Sequence, residues 1–307
     1  MEKILVIANP GSGKGLAEVH ALSLKDLLEE NYQAKVEIRL TQTLNDAKIW
    51  AQHSLQDNFD TVICLGGDGT VNEVISGLMT LEELERPKFS FIPLGTVNDL
   101  ARALEYPLIA NQTIECFRNL EEMQVDVAKV NDHYFINVLA LGSIPTAVLQ
   151  TESQQKNRFG ILAYIMNGFK AFFEGYPQAL RITDENQTSY DLETNLLLIA
   201  LTSSVGGVEN LLPEAKFDDG QAFLIALKNS MAISSIQTLI QDQGLPTSYT
   251  NNDYILVLRG KQFTVEAINV KSKDELVANI DGDQGPSLPL KVEIIQKAIS
   301  MLVPKES

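Results

Sequence analysis

The chain has 307 residues, 45% hydrophobic and 21% charged, the profile of an ordinary globular protein with room for two cores. Its 24 basic side chains stand against 40 acidic ones, and the resulting charge of −16 excludes a general nucleic-acid binder and disfavours delocalised adhesion to an anionic membrane. Only two cysteines (Cys64 and Cys116), no N-terminal signal pattern and no apolar run near the roughly 20 residues of a spanning helix point to a cytoplasmic protein with reduced thiols.

The first half alternates regularly. Residues 4–8 read as a strand and 9–15 as a Gly-rich loop. Residues 16–30 read as a helix, with Val19, Leu22, Leu24, Leu27 and Leu28 near the 3.6-residue period. A strand over 36–41 precedes a helix over 45–55 that could bury Trp50, and a strand over 61–65 precedes a helix over 70–79. A strand over 89–93 leads through another Gly/Asn/Asp loop to a helix past Arg102 and Leu104, and a further helix lies near 113–119. This alternation implies a Rossmann-like parallel sheet with helices on both faces. The loops at 9–15, 66–72 and 95–99 all follow strands, which puts them on one edge of that sheet, where such folds bind ligands.

After about residue 125 the rhythm changes. Strand-like runs at 126–130, 134–139, 196–202, 222–227, 254–258, 263–268 and 276–280, separated by Gly, Asn and Asp turns, predict an antiparallel sheet or sandwich. The expected domains are therefore 1–125 and 126–295, with strands at 290–295 and 299–303 and the segment 296–307 a candidate to complete the first domain. One helix is expected over 159–173. Core packing explains its apolar face most simply; a lipid-facing lip anchored by Lys156, Arg158 and Lys170 is the other explanation. His20, His53 and His133 fall on helix surfaces or turns at no metal-ligand spacing, and both cysteines read as small core residues.

The chemistry concentrates at residues 66–73, Gly-Gly-Asp-Gly-Thr-Val-Asn-Glu, between a buried strand and a helix. Glycines let backbone N–H groups approach an anion, and the helix aims its positive end at the same place. Asp68 inside an anion-receiving turn calls for a divalent cation to accompany the phosphate. Asn9–Gly15 is neither a Walker loop, because Gly15 follows Lys14, nor a dinucleotide fingerprint, because its third glycine comes one residue early.

Taken together, GGDGTVNE (66–73), PLGTVND (93–99) and NPGSG (9–13) resemble the diacylglycerol kinase catalytic family, in particular bacterial lipid kinases related to sphingosine and ceramide kinases. GGDGT alone is shared with NAD kinases and phosphofructokinases; the three loops in order are specific. The resemblance continues through 126–142, 159–173, LLPEAKFDDG (211–220) and IDGD (280–283), and so spans the chain. It implies an α/β nucleotide domain followed by an antiparallel β-sandwich. ATP would lie along Asn9, Pro10, Gly11, Ser12, Gly13, Thr41, Gly66, Gly67, Asp68, Gly69, Thr70, Val71, Asn72 and Thr96, with Asp68 joining Mg²⁺ to the β- and γ-phosphates. A second, structural Mg²⁺ would take the Asp219 carboxylate and main-chain oxygens of Lys216 and Gln221, and Asp99 and Asp126 would support the network.

The resemblance also implies a lipid acceptor such as diacylglycerol in an interdomain cleft, transient contact with a membrane surface from the cytoplasmic side, and no nucleic-acid partner. A homodimer is compatible with it. Two departures stand out. Relatives end in Asp-Gly-Glu where this chain has Asp281-Gly282-Asp283, which makes Asp281 the expected base and Asp283 a metal-linked or substrate-orienting carboxylate. Ser143-Ile144-Pro145-Thr146 also replaces the usual continuation after Gly142. Two other readings stay open: a soluble-metabolite kinase of the NAD type, and a nucleotide-binding regulatory protein whose lipid site has decayed.

Overall fold

The computed structural model describes residues 1–142, 177–228, 245, 248–268 and 276–305. The helix expected over 159–173 and the segment 143–146 lie outside the described residues.

In chain order the first elements are β1 (Lys3–Ala8), α1 (Ala17–Tyr32), β2 (Lys35–Leu40), α2 (Asp46–His53), β3 (Thr61–Gly66), α3 (Asp68–Leu78), β4 (Lys88–Pro93), α4 (Asp99–Ala103), α5 (Ala110–Cys116) and β5 (Leu120–Val130). Then come β6 (His133–Phe135), β7 (Val138–Gly142), β8 (Gln178–Asp184), β9 (Ser189–Ala200), β10 (Ala222–Lys228), β11 (Thr250–Asn251) and β12 (Ile255–Gly260). The last are β13 (Gln262–Ala267), β14 (Val277–Ile280), β15 (Asp283–Ser287) and β16 (Leu290–Pro304). Two compact units result, Met1–Val127 with Gln296–Ser307, and Ala128–Ile295.

In the first unit β2, β1, β3 and β4 lie side by side and parallel, so their carboxyl ends share one edge. The end of β16 adds to β4 in the same direction, Met301 opposite Phe89. Every residue of β3 is buried, as continuous apolar strands covered on both faces must be. The buried stripe of α1 is Ala17, Ala21, Leu24, Leu27 and Leu28. Val19 and Leu22, expected inside, face outward: two alanines let the helix sit close to the sheet and rotate the stripe. The same logic displaces Trp50, which is only half-buried. The buried residues of α2 are Ala47 and Ala51, against α3 at Gly77, where any Cβ would strike Ala51 and the Lys48 carbonyl.

In the second unit, a β-sandwich, β9 is central and pairs antiparallel with β7, β8 and β10. One end of β9 pairs with β8; the other runs between β10 and β7. Leu197 and Ile199 enter a core with Leu139, Leu224 and Phe263, while Leu196, Leu198 and Ala200 enter another with Phe223, Ile225 and Val257. Burial on both faces is why 196–202 reads as an unbroken apolar run. The half of β9 that pairs with β8 alternates, and neither it nor β8 was expected. The strands expected at 290–295 and 299–303 are one continuous β16, kinked at Lys297, whose φ is 54°.

Candidate active site

At the shared carboxyl edge of the parallel strands, three loops are tied together by main-chain bonds. Asn9 N–H donates to the Leu65 carbonyl at 3.0 Å, Gly13 N–H to Leu94 at 3.1 Å, Leu94 N–H to Gly66 at 2.7 Å, and Thr41 N–H to Ala8 at 2.9 Å. The Asn9 side chain receives Gly11 N–H at 3.0 Å and donates towards Thr70 Oγ1 at 3.4 Å. Gly67 and Gly95 touch backbone to backbone: a Cβ on Gly95 would lie 2.6 Å from the Gly67 Cα, and one on Gly67 3.1 Å from the Gly95 Cα. Two loops can approach this closely only where both residues lack a side chain.

Gly67 is the sole residue between β3 and α3, so Asp68 opens the helix and its carboxylate stands at the positive helix end. Asp68 Oδ2 accepts the Asn98 N–H at 2.8 Å. Asn98, buried and left-handed (φ 54°), closes the third loop on itself, accepting Gly95 N–H at 2.9 Å and donating to the Gly95 carbonyl at 3.0 Å. Thr41, Asn72 and Thr96 are half-buried around this edge. Behind it, buried Asp126 accepts the Lys297 N–H at 2.8 Å across the kink of β16.

In the second unit, Asp281 and Gly282 form a two-residue hairpin turn between β14 and β15, both with positive φ (49° and 98°). Asp281 is 5% exposed. Its Oδ2 accepts Ile136 N–H at 2.9 Å, its Oδ1 accepts Asn137 at 3.0 Å and Val138 at 2.9 Å, and its own N–H donates to the Val138 carbonyl at 3.0 Å. Two residues on, Asp283 is exposed at the end of the turn. Neighbouring atoms still shield its carboxyl from part of the solvent, and this desolvation raises its pKa above the ordinary carboxylate value.

The third candidate cluster lies at residues 216–221. Asp219 Oδ1 accepts the Gln221 N–H at 3.0 Å, and its Oδ2 pairs with the guanidinium of Arg259. The carboxylate that the resemblance offers to a second metal thus already faces a cation. Among the described residues no group of three or more His, Cys, Asp or Glu side chains is arranged to hold a metal ion.

Residues 3–130 match the diacylglycerol kinase catalytic domain, and residues 142–303 match the YegS C-terminal NAD kinase beta sandwich-like domain. A diacylglycerol kinase of Staphylococcus haemolyticus (strain JCSC1435) is 33% identical over 305 residues, 98% of this chain and 88% of the relative. One from Staphylococcus aureus (strain JH9) is also 33% identical, over 98% of this chain and 92% of its own. The chain belongs to the diacylglycerol kinase catalytic family. Two crystal structures of proteins from Bacillus anthracis str. Sterne, one described as "a putative diacylglycerol kinase" and one as a diacylglycerol kinase, superpose with TM-scores of 0.83 and 0.76 at 25% identity, covering 98% of this chain and 97% of each of theirs.

As a member of this kinase family the chain is an enzyme that moves a phosphoryl group from ATP to an alcohol of a lipid. The expected nucleotide residues Asn9 to Gly13, Thr41, Gly66 to Asn72 and Thr96 fall on or beside one sheet edge, in the first unit. Asp281 and Asp283 share one hairpin of the second unit, and Lys216, Asp219 and Gln221 one loop of it. Asn98 was not singled out, although PLGTVND contains it: an Asn directly after a strand-end turn is the usual non-Gly occupant of the left-handed region, and that was the available signal. The three N–H donors of residues 136–138 carry no side-chain signature and were invisible.

Proposed function

We propose that this family member transfers the γ-phosphoryl group of ATP to the free hydroxyl of diacylglycerol or a lipid of similar chemistry, with Asp283 rather than Asp281 taking the hydroxyl proton. The observation that carries this reading is the contrast between the two carboxylates. Asp281 already accepts three backbone N–H bonds. Asp283 is exposed, and its pKa is raised, which favours proton acceptance nearer neutral pH. Asp281 is then a positioning residue that pins the turn bearing the base, and the expected roles of the two carboxylates exchange.

ATP would lie on the amide-lined edge around Gly11, Gly67 and Gly95, whose missing side chains let the loops close on one another and gather their N–H groups at one edge. A divalent cation fits here: Asp68, half-buried at the mouth of the loop, supplies a hard oxygen ligand among N–H donors. When bound, Mg²⁺ would neutralise charge on the β- and γ-phosphates. Asn98 would hold Asp68 in place for it. An acceptor of this class resides in bilayers, so the proposal includes transient contact of a cytoplasmic protein with the inner membrane surface; no described helix is long and apolar enough to cross a membrane.

The test is transfer of radiolabelled phosphate from ATP to diacylglycerol, phosphatidylglycerol, ceramide, a polyprenol and NAD in parallel. Label in diacylglycerol is expected. Label in NAD alone would establish the metabolite-kinase reading, which the NAD kinase-like description of the C-terminal domain keeps in view. Sedimentation of the same preparation decides between monomer and homodimer.

A further inference from the structure

Arg259 and Phe223 are direct partners across β12 and β10, and the guanidinium carbon lies 5.1 Å from the Phe223 ring centroid. Cation–π contact fixes the plane of the guanidinium and aims Nη2 at Asp219 Oδ2, where it donates. The other oxygen of Asp219 is turned back onto the Gln221 N–H by Gly220, which holds a φ of 71°. The pair is partly withdrawn from water, with side-chain exposures of 32% for Arg259 and 20% for Asp219. The Asp219 carboxylate is therefore answered from within the chain, by a cation held on two sides.

A divalent ion on the same carboxylate would bring two positive charges beside a third. It would have to expel the guanidinium from Oδ2 or pay like-charge repulsion. Mg²⁺ also surrenders its own water shell reluctantly, and the one charged ligand that the resemblance offers it here is already paired with Arg259. We propose that Arg259 is the structural cation of the 211–221 segment, standing where the resemblance places a second Mg²⁺, so that the β-rich unit holds this loop without metal. The residues of this loop do not fit the second ion. This inference does not rest on the lipid-kinase reading, because its test uses neither ATP nor lipid.

The test is thermal denaturation of the full chain in excess Mg²⁺ and in excess EDTA, for the wild type and for Arg259→Gln. The wild-type midpoint is expected to be the same in both media. Arg259→Gln, which keeps a polar group but loses the charge and most of the ring contact, is expected to melt about 2–4 °C lower in EDTA. A wild-type midpoint that drops on chelation, or an Arg259→Gln midpoint equal to wild type in EDTA, would overturn the proposal. Should Arg259→Gln not fold, the wild-type arm still does so alone, backed by elemental analysis: one tightly held Mg²⁺ per nucleotide-free chain refutes it.

Discussion

Asp281 and Asp283 differ by two positions in sequence and entirely in circumstance, and the difference can be measured. A general base works when ionised, so activity falls as pH drops through its pKa; a carboxyl whose pKa is raised loses activity at a higher pH than an ordinary one. The acid limb of kcat/KM against pH should therefore lie above the normal carboxylate range. Asp283→Asn should lower kcat about 10²- to 10⁴-fold, the usual worth of a positioned base, while Asp283→Glu, which keeps the carboxylate, keeps most of the rate. Asp281→Ala should behave differently. It strands three N–H groups at the 136–138 corner, two of them on residues only 2% exposed, and should cost about 3 kcal/mol or more in chemical denaturation. Asp281→Asn tolerates the left-handed backbone and retains an acceptor, so it should recover much of that stability. A pH profile unchanged by Asp283→Asn would remove Asp283 from the role of base.

Among the elements, the parallel half was legible because its determinants are local. Continuous apolar strands, glycine turns and helical periods specify β1 to α3 nearly residue by residue, and one-edge placement of the loops follows from strand direction alone. The antiparallel half was less so. The Asp-Gly pair at 281–282 is a hairpin signal, but the strand it starts, Asp283–Ser287, carries a Gly and a Pro and has no alternating apolar pattern to mark it. β8 and the first half of β9 are alternating strands with polar faces, held by cross-strand pairing that no single segment announces. What the loop glycines do is likewise non-local. Gly95→Ala forces a Cβ to 2.6 Å from both the Gly67 Cα and Asn98 Oδ1, so the second and third loops must part. We expect KM for ATP to rise at least about tenfold, with about 1–3 kcal/mol lost in stability. Gly77→Ala, which crowds α2 against α3 away from the loops, should cost similar stability with KM unchanged. Equal KM effects in the two variants would show that Gly95 acts only through the fold.

At the scale of the molecule, the unit that carries the kinase catalytic domain is assembled from residues 1–127 and 296–307, and this dictates when it can form. Met301 of the last strand pairs with Phe89 of β4 and Leu302 bonds to Ser90, in each case across 212 residues, and the unit is bound to that strand at many points. Ser90 Oγ donates to the Leu302 carbonyl at 2.7 Å and the Tyr106 hydroxyl to the same oxygen at 3.0 Å; Arg86 donates to Ala298 at 2.6 Å, and Lys305 N–H to Asn119 at 3.1 Å. Tyr106 stacks on Phe91 with centroids 4.7 Å apart, and burial drives its phenol far above its ordinary pKa, so it remains a donor at every pH of interest. Contacts of such sequence separation cost loop-closure entropy before they repay it, and without them the edge of β4 is open. A chain ending at residue 295 keeps every nucleotide residue named above but loses these bonds and the Lys297 N–H on Asp126. We expect it to be recovered mostly aggregated, and its soluble fraction to bind ATP at least about tenfold more weakly than the full chain, since a shift of about 1.4 kcal/mol at the loops is enough. Supplying 296–307 as a separate peptide should restore part of the binding. A truncated chain that is soluble and binds ATP normally would show that the loops are held by the first 127 residues alone.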